Sequence, residues 1–112
     1  MMPNAPAPPE DTIGDLVHRI VQSVQPQRIV LFGSAATGHT GPNSDIDLLV
    51  IMSDGIHRRR TAQTIYRSLI GTGVATDVVV ATESDIREYG DNPSLVLFPA
   101  LREGRELYRA AG

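Results

Sequence analysis

Hydrophobic and polar positions follow two rhythms along this chain. From Asp11 to Val24, the residues Ile13, Leu16, Val17, Ile20, Val21 and Val24 recur at helical spacing, which predicts an amphipathic helix with one buried face. Asp11 or Thr12 is placed to cap its start, and Pro26 lies just past its end. The rhythm then shortens. Residues 28–32 (RIVLF) read as a short strand ended by Gly33. A loop over 34–44 follows, with Gly38, Gly41 and Pro42. Residues 45–52 (DIDLLVIM) read as a second strand, apolar apart from its two aspartates, as suits a central strand covered on both faces. Ser53, Asp54 and Gly55 mark a turn. A second helix is expected over 56–70 with Ala62, Ile65, Leu69 and Ile70 on its inner side, then a third strand over 74–81. A helical turn over 84–89, a last helix over 94–103 despite Pro99, and a short edge strand over 106–108 complete the pattern.

The order α-β-β-α-β-α predicts a small mixed sheet flanked by helices, in the α/β or α+β class. The second and third strands are joined through a helix and are expected to run parallel; the first two share only a loop, which suits an antiparallel pair. With 112 residues the chain has the size of one domain, expected over 11–112. Residues 1–10 carry Pro3, Pro6, Pro8 and Pro9 and are expected to form a disordered leader.

Composition narrows the chemistry. The absence of cysteine excludes disulfides, thiolate zinc sites and Cys nucleophiles. All 10 basic residues are Arg, which excludes lysine covalent catalysis and a P-loop. A net charge of −3 does not suit a broad basic grip on nucleic acid, so direct nucleic-acid binding is not expected. No apolar run approaches the roughly 20 residues of a membrane span, and the start lacks the pattern of a secretion signal. A cytoplasmic protein without membrane contact is expected.

Three aspartates stand where strands should be apolar. Asp45 and Asp47 are two residues apart, so on a strand both leave the same face, opposite Ile46 and Leu48. Asp77 sits within the third strand, and if that strand lies beside the second, three carboxylates converge. Such crowding is costly unless a divalent cation offsets the charge, and hard oxygen ligands suit magnesium or manganese. Gly33 and Ser34 end the first strand. A glycine there admits a close ligand, and the Ser hydroxyl and nearby amides are donors for phosphate oxygens.

Gly33-Ser34, ten residues, then Asp45-Ile46-Asp47 resembles the signature of the DNA polymerase beta-like nucleotidyltransferase superfamily. The stretch LFGSAATGHTGPNSDIDLLVIM, with TDVVVAT downstream, is similar to its minimal nucleotidyltransferase (MNT) branch, whose members commonly pair as antitoxins with HEPN-domain toxins. The resemblance covers residues 11 to about 108 and implies the polymerase beta-like fold. It implies that Asp45, Asp47 and Asp77 are catalytic and hold two Mg2+ ions, with Mn2+ as an alternative. It implies that Gly33 and Ser34 bind the triphosphate of ATP or another nucleoside triphosphate. The activity implied is transfer of AMP, or another nucleoside monophosphate, to a hydroxyl. The chain ends soon after the core, so the acceptor is expected on another polypeptide, by resemblance a tyrosine of a HEPN toxin.

One departure bears on activity. Many minimal members carry arginines directly after the Gly-Ser, whereas this chain has GSAATG, with Ala35 and Thr37 at those places. That leaves the triphosphate less positive charge and favours a second class of function: a nucleotide-binding antitoxin, weak or inactive in catalysis, that neutralises its partner by contact. Transfer to a small molecule is a third reading, weakened by the lack of acceptor-binding structure. Arg58, Arg59 and Arg60 open the second helix either as a solvated start or as a contact to triphosphate, acceptor or an acidic partner surface. His39 is expected in a solvated loop, and His18 and His57 on exposed helix faces. Tyr66, Tyr89 and Tyr108 are expected to pack rather than stack on bases.

Overall fold

The computed structural model describes residues 9–33, 46–89 and 104–111, and the side chains of all of these except 9–11 and 89. The expected loop over 34–44 and helix over 94–103 lie outside the described residues, as do Ser34, Ala35, Thr37, His39 and Asp45. The described elements are α1 (Pro9–Val24), β1 (Arg28–Phe32), β2 (Ile46–Met52), α2 (Arg58–Ser68), β3 (Thr76–Thr82), α3 (Glu83–Tyr89) and β4 (Arg105–Arg109).

β1 matches the expectation residue for residue, while the helices differ at their ends. α1 begins at Pro9, so residues 9 and 10 belong to the helix rather than to the leader, and Asp11 and Thr12 sit inside its first turn. Proline suits a first turn because its missing N–H would have no intrahelical acceptor there. The helix stops at Gln25, whose φ of 52° is left-handed and whose N–H still reaches the Val21 carbonyl at 3.1 Å. Pro26 then prevents continuation. α2 is shorter than its pattern suggests. His57 caps its start, the ring Nδ1 accepting the Arg60 N–H at 3.2 Å, and Leu69 closes its end. Ile70 therefore falls beyond the helix, and it is 73% exposed rather than packed inside.

The sheet has the order β3-β2-β1-β4. β1 pairs antiparallel with β2 and with β4, whereas β2 and β3 run parallel, as the crossover through α2 allows. β2 is central, and both its faces are buried. Leu48 and Val50 join Leu16 and Ile20 of α1, Ile29 and Leu31 of β1, and Ile65 of α2 in the larger core. Leu49 and Ile51 face the other way and join Val30, Ala81 and, on α3, Ile86. Two-sided burial explains why this strand is an unbroken apolar run once past its aspartate. Among the described residues, no helix is long and apolar enough to cross a membrane.

Candidate functional site

The alternation of β2 puts Asp47 on the face of Leu49 and Ile51, away from α1 and α2. The parallel pairing then decides its neighbour: Asp47 lies opposite Asp77 of β3, in register. Paired strands are about 4.8 Å apart, and registered residues project from the same face, so the two carboxylates stand side by side. Asp47 is partly buried and Asp77 exposed, so one is anchored against the sheet while the other meets solvent.

On the opposite flank of Asp47 lies β1, whose last residue, Phe32, is its registered partner. Gly33 follows with a φ of 76°, a conformation that side chains rarely adopt. A Cβ placed on Gly33 would collide with the Asp47 carboxylate oxygen, with Asp47 Cγ only 3.2 Å away. The glycine therefore makes room for the aspartate itself. Gly33, Asp47 and Asp77 thus meet at one end of the three neighbouring strands. Ser34 and Asp45 flank this group in sequence but lie outside the described residues. No third His, Cys, Asp or Glu joins the pair to form a metal-binding group among the described residues.

The far end of the parallel strands holds a second charged cluster that the sequence reading did not single out. Thr82 and Asp85 form a reciprocal capping box at the start of α3: the Thr82 N–H donates to Asp85 Oδ2 at 3.0 Å, and the Asp85 N–H donates to Thr82 Oγ1 at 3.2 Å. Arg58, at the head of α2, donates to both Asp85 oxygens at 2.7 Å. Burial works to raise the Asp85 pKa, but the Thr82 N–H and the Arg58 guanidinium outweigh it and hold the carboxyl below the ordinary range. Asp54 accepts the Ser84 N–H and hydroxyl, at 2.9 and 2.7 Å. Those bonds, the hydroxyl first, lower its pKa as well. The signal was present in the sequence as Thr-x-x-Asp at residues 82–85. Arg58 is thus a structural tie between α2 and α3. Five residue steps along β2, roughly 17 Å, separate its end from Asp47, so the arginines at residues 58–60 stand well away from the aspartate pair.

The sequence profile of the nucleotidyltransferase domain matches residues 15–103, most of the chain. This protein belongs to that nucleotidyltransferase family. Solved structures share the fold. A toxin-antitoxin crystallised with AMP-PNP is 24% identical with a TM-score of 0.52, over 92% of this chain and 75% of that one. A nucleotidyltransferase from Sulfolobus solfataricus is 18% identical with a TM-score of 0.59, over 97% and 93%. A mutant of the toxin-antitoxin MntA-HpeT is 22% identical with a TM-score of 0.50, over 90% and 73%. No curated protein matches the chain. In this nucleotidyltransferase the expected parallel alignment of the second and third strands is what brings Asp47 to Asp77.

Proposed function

We propose that this nucleotidyltransferase is a cytoplasmic, metal-dependent enzyme that moves AMP from ATP to a tyrosine hydroxyl of a HEPN-domain toxin, and so acts as an antitoxin. The observation that carries the reading is the in-register pair Asp47 and Asp77, with Gly33 kept free of a side chain against Asp47. The toxin-antitoxin neighbours, one of them with AMP-PNP, support a nucleotide and a protein partner.

The donor set fits hard divalent cations. Two adjacent carboxylates, one partly buried and one open to solvent, are the ligands magnesium or manganese takes, with water and phosphate oxygens filling the remaining positions. Asp45, Asp47 and Asp77 would hold two ions, which supply charge neutralisation at the attacking and leaving oxygens. In the transfer, the tyrosine oxygen bonds to the α-phosphorus, the bond to the β-phosphate's bridging oxygen breaks, and pyrophosphate leaves. Asp77, on the exposed side, accepts the tyrosine proton. The Gly33 backbone and Ser34 hydroxyl hold the triphosphate, and the buried strand beneath Asp47 fixes that carboxylate in place.

The test incubates the chain with labelled ATP, magnesium and a HEPN-domain protein encoded beside it, and looks by mass spectrometry for AMP on tyrosine. Wild type should label the partner, and Asp47→Asn and Asp77→Asn should not. The second reading, neutralisation by contact alone, is favoured by Ala35 and Thr37 in place of arginines. It prevails if the partner is silenced without gaining AMP. Equal labelling by wild type and both variants would remove the aspartates from the site.

A further inference from the structure

Apart from the aspartate pair, the surface feature that the fold leaves unexplained is the outer side of α2. Its inner side is accounted for by Ile65 and Leu69, both buried. On the outer side Arg59, Gln63, Tyr66 and Arg67 are all exposed and recur at steps of four, three and one, which places them in one stripe, and exposed Ile70 continues it just past the helix end, its N–H donating to the Arg67 carbonyl at 3.2 Å. The stripe is chemically unlike the rest of the chain. The two large hydrophobic residues most open to solvent among the described residues, Tyr66 at 43% and Ile70 at 73%, both lie in it. The segment 57–70 carries four arginines and no acid, in a protein whose net charge is −3. Of those arginines only Arg58 is tied down, on Asp85; no ion pair among the described residues involves Arg59, Arg60 or Arg67.

Positive charge at a helix start opposes the helix dipole, so Arg59 and Arg60 weaken α2 where they stand. Folding does not account for them. Exposed Tyr, Arg and Ile together are the composition of an interface centre, in which an apolar contact is ringed by charge. We propose that the outer face of α2 docks a partner protein that presents carboxylates around an apolar spot, Ile70 and the Tyr66 ring filling the apolar contact and Arg59 and Arg67 pairing with the acids. The partner meant is the one whose hydroxyl is modified, so the assignment rests on the functional reading above. A second copy of this chain is the wrong occupant, because a two-fold contact through this stripe would set arginine against arginine. A nucleic-acid backbone would meet the arginines but gain nothing from an exposed Ile70.

Docking here leaves the aspartate end open. The stripe sits on the side of the larger core, whereas Asp47 and Asp77 share the opposite face of the sheet. A partner held by α2 would have to reach round the β3 edge to bring its hydroxyl to Asp77. Tyr66 already marks that edge: its hydroxyl accepts the Val78 N–H at 2.9 Å, one residue from Asp77.

The test measures binding of the full chain to the neighbouring-gene HEPN protein by titration calorimetry, for wild type, Arg59→Glu, Ile70→Asp and the distant control Arg105→Glu. Arg59→Glu replaces an unfavourable charge at the helix start with a favourable one, so its melting temperature should hold or rise. Binding should nonetheless fall at least tenfold. Ile70→Asp should weaken binding by a similar factor, and Arg105→Glu by less than twofold. If wild type binds and all three variants bind equally, the docking surface is elsewhere while the antitoxin reading stands. If wild type does not bind, both fall. A fluorescent single-stranded RNA that wild type retains at 150 mM salt and Arg59→Glu releases would assign the stripe to nucleic acid and overturn the protein interface.

Discussion

Gly33 shows how a single residue can be required twice over. Its φ of 76° would strain any side chain, and its Cβ position is occupied by the Asp47 carboxylate. Gly73 has the same φ of 76° but open space around it, which makes it a matched reference. Alanine at either position should cost about 1–2 kcal/mol through the left-handed backbone alone. Only Gly33→Ala must also push Asp47 from its place beside Asp77. We expect both variants to melt lower by similar amounts, with magnesium-ATP affinity reduced at least tenfold in Gly33→Ala and unchanged in Gly73→Ala. Equal affinities in calorimetry would mean that the position of Asp47 does not matter to the ligand. At this scale the sequence was partly legible. The spacing singles out Gly33 and Asp47, which the structure brings together, and Asp77 is visible as a carboxylate inside an apolar strand. Contact between Gly33 and Asp47 is not, because it depends on the antiparallel register that sets Phe32 opposite Asp47.

At the scale of elements, β1 is found over the expected residues, whereas β3 begins at Thr76 rather than residue 74 and the helix ends shift by one or two residues. Strand cores are fixed by runs of β-branched and apolar residues, whereas helix ends depend on caps and on where the chain must turn. The spacing of Ile65 and Leu69 predicts Ile70 on the inner side as well, yet α2 closes at Leu69. His57, expected on an exposed helix face, is the cap. The capping box on α3 carries the clearest stability consequence. Asp85→Ala removes the acceptor for the Thr82 N–H and the partner of Arg58, and should cost about 1–2 kcal/mol, lowering the melting temperature by roughly 4–10 °C. The pH dependence follows from the direction of the shift. Asp85 has a lower pKa folded than unfolded, so its contribution is fully present above the unfolded value and is lost as pH falls through the folded one. Stability should therefore decline below about pH 4, and Asp85→Asn should flatten that decline. An unchanged acid limb in thermal scans of Asp85→Asn would place the linkage on other carboxylates, with Asp54 and Glu106, both lowered, next in line.

At the scale of the whole molecule, the aspartate pair and the arginines that open α2 stand at opposite ends of the parallel strands. The aspartate pair occupies the start of β2 and β3, and the arginines of α2 begin beyond the end of β2. The separation bears on whether Arg58, Arg59 or Arg60 could supply the charge that Ala35 and Thr37 do not. Arg58 is held by Asp85, and the others start roughly 17 Å along the strand from Asp47. At physiological salt the Debye length is about 8 Å, so exposed charges at that separation scarcely feel one another. Arg59→Glu combined with Arg60→Glu should then leave magnesium-ATP affinity within twofold of wild type at 150 mM salt. Changes this far apart should also add, so combining them with Asp77→Asn should give the sum of the separate effects on stability. A fivefold or greater loss of nucleotide affinity in the double arginine variant would show that these side chains do serve the triphosphate.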